Sequence, residues 1–229
     1  MHILAIGAHA ADMEFTCGAV ILQYTKAGHS ACFLHCTPGE KGHPRLEPEA
    51  YAAQKVREAK IVDGALGATA RFLPYKDAEL LASETVALDI ADVIREEKPD
   101  IVITHPAHSI HDDHANTHIN TMRGLFLAEL PGIRRSHPAH GVAKIYFAEN
   151  WEDMEGFVAD TYVDVSEVFE QWLEITSQYE LFSGGISSFR YKDYYQALSI
   201  MRGCLGRSPR AVALMRPPGF GRQRGKLPL

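Results

Sequence analysis

The sequence predicts an α/β fold built on one mostly parallel sheet with helices on both faces. Short apolar runs alternate along the chain with segments of helical periodicity. Residues 100–104 form a continuous β-branched run, which is typical of a strand buried on both faces of a parallel sheet. Strands that alternate with helices imply right-handed crossovers. The prediction is therefore a doubly wound, Rossmann-like sheet.

The predicted elements follow one another in a regular order. Residues 2–7 are a short apolar run bounded by glycine, and residues 14–27 carry apolar side chains at helical intervals before Gly28. Ser83 is placed to cap a helix over residues 84–98, whose apolar side chains form one stripe. Further strands are predicted over residues 30–35, 70–73, 144–149 and 161–165, and further helices over residues 48–66, 114–129, 167–182 and 191–204.

Composition predicts one globular domain over residues 1–229, with a C-terminal tail from about residue 205. The chain is 46% hydrophobic and 23% charged, and its formal net charge of −6 argues against a nucleic-acid binder. No segment approaches the roughly 20 apolar residues that a membrane span requires. Met1 leads directly into an apolar strand without the pattern of a secretion signal, so we expect a cytoplasmic protein.

Two short clusters of histidine and acidic residues carry the predicted chemistry. One covers residues 8–14 and the other residues 111–114, and each follows a predicted strand. The carboxyl ends of parallel strands meet at one edge of the sheet, so His9, Asp12 and His114 are predicted to converge on one metal ion. Hydrolytic zinc sites use three such ligands and leave a position for water. This donor set also accepts iron, cobalt or nickel.

The second cluster belongs to a dense run of histidines that exceeds what one open metal site needs. We expect His111 to face the oxyanion that develops during hydrolysis. Asp113 is expected to hydrogen-bond and orient a histidine. The remaining histidines of the run are interpreted as loop or surface residues: His105, His108 and His118.

These motifs resemble those of the PIG-L (LmbE-like) superfamily of metal-dependent de-N-acetylases, which act on N-acetylglucosaminyl inositol, N-acetylglucosaminyl malate and related glycoconjugates. The first family motif, Ala-His-Pro-or-Ala-Asp-Asp-x-Glu, is matched by residues 8–14, and the second, His-x-Asp-His, by residues 111–114. The resemblance covers roughly residues 1–180. Supporting similarities lie at Thr37–Glu40, Arg57, Glu58, Asp77 and Asn150–Met154.

The resemblance implies a Rossmann-like fold, zinc as the usual metal and hydrolysis of an acetamide on an amino sugar. It assigns the metal to His9, Asp12 and His114 and the electrostatic role to His111. Arg57 and Asp77 match positions that contact polar groups of the substrate, although a salt bridge on a helix explains Arg57 equally well. Relatives form trimers or hexamers, so the resemblance also implies a homo-oligomer.

Ala11 departs from the family motif. The family has at this position an aspartate that acts as general base, and a methyl group cannot accept a proton. General-base catalysis contributes about 10²- to 10⁴-fold, so we expect a slow or base-deficient enzyme that still binds metal. Glu14 and Asp112 are the surrogate bases that the sequence offers.

Two other functions compete with hydrolysis. Ala11 favours a protein that binds a metal and a glycoconjugate without turnover, whereas the remaining motif positions favour an enzyme. A dinucleotide-binding oxidoreductase also has alternating strands and helices, but the turn over residues 7–12 lacks the closely spaced glycines that a pyrophosphate requires. The loops at residues 39–48 and 183–188 are expected to select the group attached to the sugar.

Overall fold

The structure is a computed structural model that describes residues 1–218, so the last eleven positions of the predicted tail lie outside the described residues. It contains seven strands and seven helices. The strands are β1 (His2–His9), β2 (Ser30–Thr37), β3 (Thr69–Phe72), β4 (Ile101–Thr104), β5 (Lys144–Ala148), β6 (Thr161–Asp164) and β7 (Ala211–Met215). The helices are α1 (Asp12–Thr16), α2 (Gly18–Lys26), α3 (Pro48–Ala65), α4 (Glu84–Glu97), α5 (Asp112–Glu129), α6 (Phe169–Thr176) and α7 (Tyr191–Gly206).

The strands form one sheet in the order β3-β2-β1-β4-β5-β7-β6, which confirms the predicted mostly parallel α/β fold. β1 pairs in parallel with both β2 and β4, and β4 pairs in parallel with β5. From β1 the chain first adds β2 and β3 on one side and then crosses to β4 and β5 on the other side. The crevice between β1 and β4 is therefore the topological switch point at which such sheets bind ligands.

The prediction of a loose tail from residue 205 is wrong for β7. This strand pairs antiparallel with β5 and β6, and Ala211, Ala213 and Leu214 are buried. The sequence conceals the strand because arginines flank a run of only five apolar residues. Its partners are strands distant in sequence, so local composition resembles a solvated segment.

Two hydrophobic cores lie on opposite faces of the sheet. Helices α1, α2, α3, α6 and α7 cover one face, and α4 and α5 cover the other. The predicted cap of α4 is present, because the Ser83 hydroxyl accepts a hydrogen bond from the Val86 amide. No helix within residues 1–218 is long and apolar enough to cross a membrane.

The helix predicted after β1 is divided into α1 and α2 at Cys17. The indole Nε1 of Trp172 donates a 2.8 Å hydrogen bond to the carbonyl oxygen of Glu14, which a continuous helix would pair with the Gly18 amide. A Cβ atom at Gly18 would lie 2.8 Å from the same indole nitrogen. Trp172 therefore interrupts the helix, and glycine permits its close approach.

Candidate metal centre

The tight turn between β1 and α1 brings two predicted ligands together. β1 ends at His9, and the carboxylate of Asp12 accepts a 2.8 Å hydrogen bond from the His9 amide. Ala11 lies between them with φ 94° and ψ −24°, a conformation that alanine rarely adopts. Its amide donates a 3.1 Å hydrogen bond to Glu14 Oε1, which fixes the turn.

Three donor atoms meet at the switch point of the sheet. His9 Nδ1 lies 3.3 Å from Asp12 Oδ2 and 3.3 Å from His114 Nε2, and His114 Nε2 lies 3.5 Å from Asp12 Oδ2. Bonds of about 2.0–2.1 Å in a tetrahedral arrangement require ligand atoms about 3.3–3.4 Å apart. The spacing of this triangle therefore fits one small divalent ion, and the open side of the triangle lies against the cavity described below.

Carboxylates hold the opposite ring nitrogens of both histidines. His114 Nδ1 lies 2.9 Å from Asp153 Oδ1, and His9 Nε2 lies 3.1 Å from Asp77 Oδ1 and 3.2 Å from Asp113 Oδ2. Hydrogen bonds from these nitrogens place the hydrogen on the far side of each ring. A lone pair on His9 Nδ1 and on His114 Nε2 then points into the triangle, as a metal ligand requires.

The surroundings of these groups shift their pKa values. Burial, reinforced by the neighbouring His105, lowers the pKa of His114 to about 4, so its imidazole is neutral at pH 7. Although burial opposes ionisation, hydrogen bonding to His9 lowers the pKa of Asp77 to about 2. Burial and the charge of Asp12 raise the pKa of Glu152 to about 7. Although burial opposes the charged form, the charge of Asp12 and hydrogen bonds to neighbouring carboxylates hold the pKa of His9 well above its usual value. Metal binding at His9 would therefore displace a proton.

His105 lies in the loop after β4, which agrees with the prediction, but it is buried and not a surface residue. Its side chain is 0% exposed, and its Nδ1 lies 2.8 Å from Asp153 Oδ2. Asp153 therefore bridges His105 and His114. His108 is exposed as expected, whereas His118 is half-buried and its Nδ1 lies 2.9 Å from the carbonyl oxygen of His105.

A cavity of about 310 Å³ opens onto the three donor atoms. His111 lies at its edge, with its ring centroid 4.7 Å from that of His9. His111 Nδ1 accepts a 3.3 Å hydrogen bond from the Asp113 amide, which leaves Nε2 as the donor. The wall away from the donor atoms carries five aromatic side chains: Phe15, Tyr51, Trp151, Tyr191 and Tyr195.

The structure brings only one of the two predicted substrate residues to this cavity. Asp77 lies in its wall, whereas Arg57 is exposed on the far side of α3 and does not line it. Tyr51 and Lys55, one helical turn apart on the buried face of α3, occupy the cavity instead. Both loops expected to select the attached group contribute lining residues, Gly39 and Gly42 from one and Ile186 and Ser187 from the other.

Neither surrogate base offered by the sequence reaches the cavity. Glu14 is 0% exposed and accepts hydrogen bonds from the Ala11 amide and the Tyr179 hydroxyl. Asp112 is exposed at the start of α5 and does not line the cavity. Ala11 does line it, but its methyl group cannot accept a proton.

Three functional candidates received no role from the sequence reasoning, although two of them lie in the segment Asn150–Met154 that supported the family resemblance. Glu152 lines the cavity with Oε2 3.8 Å from His114 Nε2, Asp153 holds two histidines, and Lys55 is a buried cation beside Ala11. The signal for the two acids is their position just after β5, which neighbours β4 in the sheet. The signal for Lys55 is its spacing from Tyr51 on an otherwise buried helix face.

The fold and the donor cluster together are those of an α/β protein with a candidate metal site at the strand ends. Residues 4–123 match the family model of PIG-L, GlcNAc-PI de-N-acetylase. The chain belongs to the PIG-L family. This result confirms the resemblance drawn from the two motifs.

Individual relatives differ in activity. Over 182 residues, the chain is 32% identical to a 1D-myo-inositol 2-acetamido-2-deoxy-alpha-D-glucopyranoside deacetylase from Kineococcus radiotolerans, a match that covers 63% of this chain and 50% of the relative. Over 212 residues, it is 21% identical to a 4-oxalmesaconate hydratase from Pseudomonas putida, a match that covers 87% of this chain and 79% of the hydratase. The chain therefore spans about half the length of the deacetylase.

The whole fold is shared with solved structures. The crystal structure of the 4-carboxy-2-hydroxymuconate hydratase from Pseudomonas putida KT2440 superimposes with a TM-score of 0.87 at 19% identity, covering 99% of both chains. At this identity the likeness concerns the fold alone. It extends over the antiparallel end of the sheet, which the family match to residues 4–123 does not include.

Proposed function

We propose that this protein is a metal-dependent hydrolase that removes the acetyl group from an N-acetylglucosamine-type conjugate. The observation that carries the proposal is the triangle of donor atoms from His9, Asp12 and His114, whose spacing fits one tetrahedral ion. Zinc is the proposed metal, and other divalent transition metals suit the same donors. Family membership supports deacetylation as the reaction class.

Each residue of the centre has a distinct task. A divalent ion would supply Lewis-acid polarisation of the acetyl carbonyl and a water of lowered pKa. Asp153 keeps the lone pair of His114 on Nε2, and Asp77 and Asp113 keep that of His9 on Nδ1. These carboxylates orient the two imidazoles before the ion arrives.

His111 is suited to stabilise negative charge on the carbonyl oxygen. Its Nδ1 is occupied by the Asp113 amide, so Nε2–H can donate a hydrogen bond towards the cavity. A donor aimed at an oxygen that gains charge in the transition state lowers the barrier more than it stabilises the bound substrate. Deacetylation then returns a proton to the departing amine and releases acetate.

The aromatic wall of the cavity supports a sugar substrate. Trp151 is stacked on Phe189 with ring centroids 4.2 Å apart, and Tyr191 packs against the same phenylalanine. Rigid aromatic faces bury the apolar face of a ligand while polar groups fix its orientation. Asp77 is the proposed partner for a hydroxyl group.

Ala11 implies slow turnover in this proposal. The position contributes no proton acceptor, and Glu14 is buried away from the cavity with Oε1 bound by the Ala11 amide and the Tyr179 hydroxyl. A general base supplies about 10²- to 10⁴-fold, so the chain is proposed to be a low-activity deacetylase. The alternative is a catalytically disabled protein that binds metal and glycoconjugate.

A hydratase is a second candidate function. The match to the 4-oxalmesaconate hydratase covers 87% of this chain, compared with 63% for the match to the deacetylase. The same centre would then activate a substrate for addition of water to a carbon-carbon double bond.

One experiment separates these functions. Purified protein is analysed for bound metal and then incubated with a panel of N-acetylglucosamine conjugates, with enzyme in excess, while acetate release is measured. Acetate formed in an amount that approaches the conjugate supplied supports the deacetylase. Metal binding and sugar binding without acetate support the binding protein. Hydration of 4-oxalmesaconate without acetate release from any conjugate supports the hydratase and overturns the deacetylase.

A further inference from the structure

Lys55 is a buried cation that the proposed reaction does not use. Its side chain projects from α3 into the wall of the cavity and is 2% exposed. The ammonium group donates a hydrogen bond to the carbonyl oxygen of Ala10 and lies 5.1 Å from the centre of the Tyr179 ring. It is therefore held beside Ala11, at the edge of the metal centre.

The charge of Lys55 has no direct partner. Within residues 1–218, no carboxylate oxygen lies within 4.0 Å of its nitrogen. The ammonium group has three hydrogens to donate, and the Ala10 carbonyl accepts one of them. A buried charge is costly unless it is paired and hydrogen-bonded. Burial lowers the pKa of Lys55, and more distant carboxylates such as Asp12 oppose this shift without giving the remaining hydrogens an acceptor.

The small side chain of Ala11 lies beside this ammonium group in the wall of the cavity. Lys55 donates its hydrogen bond to the carbonyl oxygen of Ala10, the residue that precedes Ala11. An aspartate at position 11 would add one carboxyl group here. The alanine leaves that volume available to a ligand, and Lys55 is the only lysine or arginine among the described residues that line the cavity.

We propose that Lys55 and the space beside Ala11 form a subsite for a carboxylate group of the ligand. The subsite goes beyond the proposed deacetylation, because an acetamide is neutral and needs no cation beside it. The ligand class is a small organic acid, or a substrate that carries a carboxylate close to the reacting group. Charge-assisted hydrogen bonds from the ammonium group hold the carboxylate.

The test measures binding and does not depend on turnover. Acetate and its neutral isostere acetamide are titrated by calorimetry into the zinc-loaded protein, the Lys55→Met variant and a Lys60→Met control. Lys60 is an exposed lysine on the same helix. We expect Lys55→Met to weaken acetate binding at least roughly tenfold, the loss expected for a charge-assisted hydrogen bond, with acetamide binding and zinc content unchanged. Lys60→Met should bind both as the unmodified chain does.

Several results overturn the subsite. The first is an acetate affinity that is unchanged in folded Lys55→Met, and the second is an equal loss of affinity for acetate and acetamide. The third is that the unmodified protein does not bind acetate. If Lys55→Met fails to fold, the Ala11→Asn variant tests the subsite, because asparagine fills the space beside position 11 with a neutral group of aspartate's size. Acetate weakened tenfold supports the subsite, and acetate bound as before overturns it. Failure to release acetate from N-acetylated sugars bears on the proposed function alone.

Discussion

The backbone amide of Ala11 donates a 3.1 Å hydrogen bond to the carboxylate of Glu14, which closes the turn between β1 and α1. The same carboxylate oxygen accepts a hydrogen bond from the Tyr179 hydroxyl. Glu14 therefore supports the turn that carries two of the proposed metal ligands, and it does not line the cavity. The proton acceptor that Ala11 lacks is not supplied from within this motif.

Restoring the carboxylate should increase deacetylation. In Ala11→Asp, the new side chain lies in the wall of the cavity beside Asp12 and can accept a proton from the attacking water. We expect kcat/KM for a suitable N-acetylglucosamine conjugate to rise at least roughly tenfold, the low end of what a general base supplies. Acetate release measures it.

Ala11→Asn is the matched control for this gain. Asparagine has the size of aspartate but no basic oxygen of comparable strength, so its rate should not rise. Equal rates in Ala11→Asp and the unmodified chain, with zinc bound in both, would remove the proposed role of position 11.

The conformation of Ala11 should also cost stability. Its φ of 94° lies in a region that glycine adopts freely and alanine does not. Ala11→Gly should therefore increase the free energy of unfolding by roughly 0.5–1 kcal/mol. Denaturant unfolding checks this, with Ala10→Gly as control, because Ala10 is equally buried and does not have positive φ. A loss of stability in both variants would contradict the prediction.

The convergence of the three proposed metal ligands could be predicted because it follows from chain topology. Strand ends of a parallel sheet share one edge, so two clusters about a hundred residues apart are brought together by the fold alone. His105 was misjudged because its burial depends on Asp153, which arrives after β5. A histidine's local sequence does not report a partner supplied by another strand.

The substrate side was harder to predict from the sequence. Motif resemblance pointed to Arg57, whereas the buried face of α3 selects Lys55. These residues are two positions apart and therefore on nearly opposite sides of a helix. The spacing of Tyr51, Lys55 and Ala59 already marks the inward face, so helical phase was the better guide. β7 was missed because only its tertiary pairing distinguishes it from a tail.

Asp153 should control metal affinity without touching the metal. It joins His114 and His105 through its two carboxylate oxygens, at 2.9 Å and 2.8 Å. Asp153→Asn keeps the shape but weakens the hydrogen bond that orients His114, so zinc affinity should fall about 10- to 100-fold. Competition with a chelator of known affinity measures this.

The control for Asp153→Asn is Asp92→Asn on the surface, where the carboxylate pairs with Arg135. It removes one negative charge and should leave zinc affinity unchanged. An equal loss of affinity in both variants would indicate a general effect of net charge, and the orienting role of Asp153 would be wrong.

Asp63 should make the stability of the protein depend on pH. Its carboxyl group is buried between α3 and β2, with Oδ2 3.1 Å from His35 Nε2, and burial together with the charge of Glu14 raises its pKa to about 7. In the unfolded chain the pKa is about 4, so the folded state binds the proton more tightly. The resulting stability is fully present below the unfolded pKa and is lost as pH rises through the folded pKa.

Asp63→Asn stays neutral at every pH and can still accept the hydrogen bond from His35. Urea titration gives the free energy of unfolding of the variant minus that of the unmodified chain. This difference should increase by at least about 1 kcal/mol between about pH 5 and about pH 8, the equivalent of one pKa unit. Contributions from other titrating groups cancel in this difference. Parallel pH profiles for the two proteins would mean that Asp63 is ionised in the folded chain and that His35 carries the compensating charge.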